Sequence, residues 1–292
     1  MGHTPSPLRY PGGKIRLANF MKQIMVENDL LNGEYVEPYA GGAGIAWSLL
    51  FDSYVSVVHI NDINKSLSAF WNSVFNETES LCQLIQDTPV TIQSWHKQKS
   101  IQKDPSKAST LELGFSTFFL NRTNRSGIIL GGIIGGKDQD GVYKLDARYN
   151  KEKLIRRIEK IASYKNKVRL YNSDALDFIS SILPTIPERS LIYLDPPYYK
   201  KGANLYEDHY KHNDHVAIAR SIQNITQNWI ISYDNTPEIQ SIYDGYEKVI
   251  YELSYSTAKR YSGAEVIFFS PKLSISKNQS PLLFDEPQQA TL

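Results

Sequence analysis

Residues 34–44 read Glu34-Tyr35-Val36-Glu37-Pro38-Tyr39-Ala40-Gly41-Gly42-Ala43-Gly44. The first six residues have the composition of a short strand. The glycine cluster breaks it, and Ile45 to Phe51 predicts a helix opening on those glycines. Working outward, Val55 to Ile60 is β-branched and strand-like, and it ends at Asn61-Asp62. Ile15 to Asn28 and Asn64 to Phe75 carry helical periodicity. Strands alternating with helices in this way predict a parallel α/β sheet.

The same rhythm returns at Lys151. Helices are predicted over 151–163, 174–182, 213–226 and 236–243. They alternate with strands at Val168–Tyr171, Leu191–Leu194, Trp229–Tyr233, Tyr246–Ser254 and 264–270. The intervening residues differ. The stretch 77–110 is polar and predicts helices with loops, and Leu111 to Leu120 is apolar and aromatic. Asn121 to Tyr149 is dense in Gly, Asn and Arg, which suits a β-ribbon or long loops. The expectation is therefore an α/β, Rossmann-like, mainly parallel sheet with helices on both faces. It is formed by residues 1–75 and 151–273 and interrupted by a smaller insert at 76–150. Residues 274–292, polar with Pro and Gln, are expected to be a flexible tail.

Composition narrows the class without naming it. The 292 residues carry a net charge of +1, which does not announce nucleic-acid binding. Basic residues nevertheless outnumber acidic ones between Asn121 and Lys167, so a local basic face competes with an ordinary solvated surface. The single cysteine, Cys82, excludes an intrachain disulfide, and no Cys/His set has zinc spacing, so no metal is expected. The N-terminus lacks the apolar core of a signal peptide, and no apolar run reaches about 18 residues. A cytoplasmic protein without membrane contact is expected.

In open α/β sheets, ligands sit beyond the carboxyl ends of the strands. Three sequence features fall there. The glycine turn 41–44 permits positive φ and close approach of a ligand to the backbone. Asp62, at the end of the next strand, is placed to accept the hydroxyls of a ribose; a helix cap before Lys65 is the competing reading. The third is Asp195-Pro196-Pro197-Tyr198. The lone pair of an aromatic amine is conjugated into its ring, so attack on a methyl sulfonium requires a shift toward tetrahedral nitrogen. Acceptors aimed at the two N–H groups favour that shift. Asp195 offers a carboxylate and Pro196 a carbonyl, Pro offers no competing N–H, and Tyr198 offers a ring to stack on an extruded base. Taken alone, the tetrapeptide also reads as a rigid turn. Arg9-Tyr10-Pro11-Gly12-Gly13-Lys14 adds a tight turn with a cation beside it.

These motifs, in this order, resemble the D12-class, Dam-like DNA adenine-N6 methyltransferases, within the alpha group of amino-methyltransferases. The resemblance covers about residues 7–270. It implies S-adenosyl-L-methionine as cofactor and double-stranded DNA as partner, with transfer to N6 of a flipped-out adenine. It also implies cofactor contacts at Tyr10, Lys14, Glu37, Pro38, Tyr39, Ala40, Gly41, Gly44, Asp62, Asp174, Ala175 and Asp195. For Asp174 a helix N-cap is the competing reading, and many members carry Trp where this chain has Tyr10. Arg9 is implied to lie near DNA. Phe118 to Ile129 resembles the entrance to the target-recognition region, which makes Arg122, Asn124 and Arg125 candidate DNA contacts. The match weakens over 130–148, so the recognition sequence stays open. A cognate restriction enzyme is a partner the resemblance allows. Competing readings keep the methyl chemistry but change the acceptor to cytosine N4 or another planar nitrogen, or retain the fold without catalysis. Cytosine-C5 transfer needs a nucleophilic cysteine, and Cys82 lies away from the motifs.

Overall fold

The computed structural model describes residues 4–9, 14–200, 210–255, 261–276 and 280–284. In chain order the first elements are α1 (Ala18–Glu27), β1 (Gly33–Glu37), α2 (Gly44–Phe51), β2 (Val55–Asn61) and α3 (Lys65–Asn76). Next come α4 (Thr78–Asp87), α5 (Ile92–Lys103), α6 (Thr110–Thr123), α7 (Lys151–Ala162) and β3 (Val168–Tyr171). The rest are α8 (Ala175–Ser181), β4 (Ser190–Leu194), α9 (His212–Ile222), β5 (Asn228–Asp234), α10 (Pro237–Ile242), β6 (Lys248–Tyr255) and β7 (Tyr261–Phe269).

The chain divides into two compact units. One comprises residues 16–40, 49–61 and 173–292. Six of the seven strands among the described residues lie in it, in the order β2-β1-β4-β5-β7-β6. The pairs β1/β2, β1/β4 and β4/β5 are parallel, while β7 runs antiparallel to both β5 and β6. All five residues of β4 are buried. Successive strand side chains point to opposite faces, so both faces are covered there. The sequence expectation of a mainly parallel sheet holds, with an antiparallel hairpin at one edge. The tail departs from expectation in part. Ser274 exchanges hydrogen bonds with Asn28, and Phe284 lies 5.2 Å from the Phe20 ring of α1 while its carbonyl accepts from Asn19. Residues 277–279 and 285–292 lie outside the described residues.

The other unit comprises residues 1–15, 41–48 and 62–172. It is helical, with β3 as its strand. Asn64 caps α3, its side chain accepting from the Ser66 and Leu67 amides. Helix α6 opens on a capping box between Ser109 and Glu112. Ten of its fourteen residues are buried, the polar Ser116, Thr117, Asn121 and Thr123 among them. Gly114 lets α6 approach α3 closely: a Cβ there would sit 2.6 Å from Ser73 Oγ and 2.7 Å from the Ala69 carbonyl. Phe118 stacks on Phe70 with centroids 5.9 Å apart. The expected insert boundaries at 76 and 150 therefore do not coincide with the compact unit, which also takes in α3, α7 and β3. Beyond Thr123 the ribbon-or-loop stretch is loop, with one isolated bridge between Asn124 and Ile133.

Candidate active site

The glycine turn sits in the helical unit. Gly41 and Ala43 both have φ near 49°, the left-handed region. The Gly41 carbonyl accepts from the Trp71 indole at 3.0 Å, and the Gly41 amide donates to Asp62 Oδ2 at 2.9 Å. The other oxygen, Oδ1, accepts from the Asn64 amide at 2.9 Å. Asn172 Nδ2 holds the Asp62 carbonyl at 2.7 Å. The helix-cap reading of Asp62 is thus displaced by Asn64, which is the cap. Asp62 is a half-buried carboxylate fixed beside a left-handed glycine turn. Its acceptor chemistry and that turn fit a ribose-bearing cofactor. Lys14 is buried in this unit, and Tyr10 lies outside the described residues.

In the sheet unit, one amide organises the strand ends. Asn61, 1% exposed, donates to the carbonyls of Pro38 and Ser173 at 3.0 Å each. Its Oδ1 accepts from the Ser173 amide at 2.9 Å, and its backbone carbonyl accepts from Ala40. Glu37 is buried and accepts from the Tyr35 hydroxyl at 3.1 Å. Burial, then neighbouring Tyr210, pushes the Tyr39 phenol up; Asp174 adds to the push. Asp174 caps α8 through the Leu176 amide at 2.8 Å. Its competing reading as an N-cap is therefore realised, and Ala175 opens the helix as a buried residue.

Asp195 follows the last residue of β4. Its Oδ1 accepts from Ser232 Oγ at 2.8 Å. Ser232 Oγ lies 2.8 Å from the Tyr193 hydroxyl. Ser232 has one proton and gives it to Asp195, so the phenol of Tyr193 donates to Ser232. Burial, then the nearby Asp195, raises the Tyr193 phenol well above its usual range. Pro196 is buried and Pro197 half-buried. Tyr198, 7% exposed, donates its hydroxyl to Glu265. The following amides, Tyr199 and Lys200, donate to Asp234 at 2.8 and 3.0 Å. Sequence reasoning did not single out Ser232, Asp234 or Glu265. The signal was available: Ser232 and Glu265 are polar residues beside apolar runs in β5 and β7, and Asp234 is a carboxylate that ends β5.

The candidate DNA contacts gather in the helical unit. Asn121 clamps the Arg9 main chain from both sides, accepting its amide at 2.7 Å and donating to its carbonyl at 2.6 Å. Arg122 donates to the Arg148 carbonyl at 2.7 Å. Burial, then Arg9 and Arg157, lowers its guanidinium to about 9. Arg125 is exposed. Asn124 is different: 0% exposed, its amide accepts from Trp95 Nε1 at 2.7 Å and donates to the carbonyls of Ile128 and Ile129. Its side chain ties the loop together rather than facing outward. Burial pushes the Cys82 thiol up to about 11, opposite to what a nucleophile needs. Among the described residues no group of His, Cys, Asp and Glu is arranged to hold a metal, and no helix is long and apolar enough to cross a membrane.

A doubly wound order of parallel strands, a glycine turn after the first, a carboxylate after the second and Asp-Pro-Pro-Tyr after the fourth define an S-adenosylmethionine-dependent methyltransferase. The chain belongs to the D12 class N6 adenine-specific DNA methyltransferase family, whose model matches residues 10–258. Among solved structures, it is similar to a SAM-dependent methyltransferase from Agrobacterium tumefaciens (9% identity, 87% of this chain and 60% of that one, TM-score 0.42). It is also similar to the rRNA methyltransferase aviRa from Streptomyces viridochromogenes (12% identity, 89% and 85%, TM-score 0.38). A third is TrmK from M. capricolum, solved with S-adenosyl-homocysteine (8% identity, 86% and 69%, TM-score 0.36). No curated protein matches the chain.

Proposed function

We propose that the protein methylates N6 of an adenine rotated out of duplex DNA, with Asp195, Pro196, Pro197 and Tyr198 forming the loop that receives the base. The observation that carries this reading is the relay from Tyr193 through Ser232 to Asp195. It fixes a carboxylate as an acceptor without moving any group during the reaction, which is electrostatic preorganisation. Asp195 and the Pro196 carbonyl take the two N6 protons as hydrogen bonds, and the Tyr198 ring stacks on the base. When bound, S-adenosylmethionine supplies an electrophilic methyl group on sulfonium. Asp62 and the Gly41–Gly44 turn hold the ribose side of that cofactor, with Glu37, Pro38, Tyr39, Ala40, Asp174 and Ala175 as further contacts. Tyr10 and Lys14 of the N-terminal motif complete the set.

Arg9, Arg122 and Arg125 bind the DNA backbone in this reading. Arg9, Arg148 and Arg157 lie close enough to Arg122 to depress its pKa, and a phosphate relieves such like-charge crowding. Asn124 is left out of the DNA contacts because its amide is engaged inside the loop. The protein acts in the cytoplasm, and a cognate restriction enzyme is a partner consistent with this function. The test is digestion of DNA treated with wild type and with Asp195→Ala, followed by nucleoside identification. Wild type yields N6-methyladenine. The variant loses at least about a hundredfold in kcat, the size expected for removing one preorganised polar group. Full activity in Asp195→Ala overturns the assignment.

A further inference from the structure

The face of the sheet beneath the Asp195–Tyr198 loop holds two buried carboxylates side by side. Asp234 of β5 pairs directly with Glu265 of β7, and Glu265 pairs directly with Tyr251 of β6. Residues paired directly across antiparallel strands share a face, and so does Ser232, two residues before Asp234. Asp234 is 4% exposed and Glu265 1%. Like charges placed opposite each other in a sheet are destabilising, and burial makes them costlier.

Donors offset that cost. Asp234 accepts the Tyr199 and Lys200 amides, and Glu265 accepts the Tyr198 and Tyr251 hydroxyls, the latter at 2.5 Å. Three of these four donors belong to residues 198–200. Stacking on a base requires only the ring of Tyr198, which phenylalanine would also supply. The hydroxyl is engaged with a buried carboxylate, an arrangement that fixes the angle of the ring.

We propose that Glu265 and Asp234 are positioning residues for methyl transfer. Glu265 sets the Tyr198 ring through its hydroxyl, and Asp234 sets the turn that follows through two backbone amides. This inference rests on the reading of Asp195–Tyr198 as the loop that receives adenine. Ser232 on the same face holds Asp195, so one strand surface aligns both the acceptor carboxylate and the stacking ring. Small misplacements of reacting groups cost large factors in rate without abolishing binding.

The experiment uses the full chain, tritiated S-adenosylmethionine and plasmid DNA from a host without adenine methylation. Wild type is measured first. If it forms no N6-methyladenine, the functional reading fails independently of this inference. Tyr198→Phe, Glu265→Gln, the double variant and Tyr251→Phe are then compared in kcat, in KM for cofactor and DNA, and in thermal unfolding. Tyr198→Phe and Glu265→Gln are each expected to lower kcat about tenfold while KM for cofactor stays within about twofold. The double variant is expected to match the slower single variant, because both remove one coupling. Tyr251→Phe, which leaves the Tyr198–Glu265 bond in place, lowers kcat less than either. Multiplying effects in the double variant, wild-type kcat in Tyr198→Phe, or an equal loss in Tyr251→Phe overturns the proposal. Tyr198→Phe removes a single oxygen atom, so its result decides the matter even if Glu265→Gln fails to fold.

Discussion

Acidification is expected to destabilise this protein through one residue, His215. The imidazole lies on α9 at 0% exposure, within 5.2–5.6 Å of the rings of Tyr199, Tyr210 and Tyr233. Its Nδ1 sits 3.2 Å from the Tyr233 hydroxyl, and Nε2 has no hydrogen-bond partner among the described residues. Burial lowers its pKa to about 4; Asp234 and Asp214 oppose the shift, and His212 adds to it. The folded pKa lies below the unfolded value of about 6.5. Between these values the unfolded chain binds the extra proton. The stabilisation is therefore complete above about pH 6.5 and is lost as pH falls toward 4. From pH 7.5 to pH 5.0 the linkage relation gives a loss of about 2 kcal/mol from this group. Urea unfolding of wild type and His215→Phe at the two pH values measures it. Every other titrating group is common to both proteins, so the wild type should lose about 2 kcal/mol more than the variant. Losses agreeing within about 0.5 kcal/mol would refute the account.

Three further outcomes follow from packing and exposure. Gly114→Ala drives a Cβ against Ser73 Oγ and the Ala69 carbonyl. It should cost about 1–3 kcal/mol in thermal unfolding. Asn124→Ala strands the Trp95 indole N–H and two carbonyls. A loss of about 2–4 kcal/mol, read in urea, is expected from these buried groups. Arg125→Ala, at an exposed position, should leave the melting temperature unchanged and weaken DNA binding. It should also reduce the slope of log K against log salt by about one in a filter-binding series.

Much of the sheet was legible because its strands announce themselves. Val55-Ser56-Val57-Val58-His59-Ile60 and Ser190-Leu191-Ile192-Tyr193-Leu194 are β-branched or apolar runs ending in chemistry-bearing residues. The glycine turn and Asp62 were legible for the same reason. Helix α6 was harder. Polar and apolar residues are mixed around it, so no single face stands out, and the partner that buries it, the Phe70 side of α3, lies far away in sequence. The grip on the loop was also hidden. Ser232, Asp234 and Glu265 show only as polar interruptions in strands, and pairing β5 with β7 is what brings the two carboxylates together. The surroundings of Asn124 were hidden too: its Asn-Arg context does not reveal that Trp95 would claim its oxygen.

Gly114, pressed against the Ala69 turn of α3, has a consequence for making chimaeras of this enzyme with its relatives. A recognition cassette cut at residues 76 and 150 would leave behind α3, including Phe70 and Ser73, and with it the surface that receives α6. The graft would arrive with an aromatic helix face and no matching receptor. The unit that would have to move together is residues 1–15, 41–48 and 62–172, in which Gly41 is bonded to Trp71 and Asp62, Asn121 clamps Arg9, and Asn172 holds the Asp62 carbonyl. Module exchange along these lines therefore carries Asp62 and the Gly41–Gly44 turn together with the loops beyond Thr123.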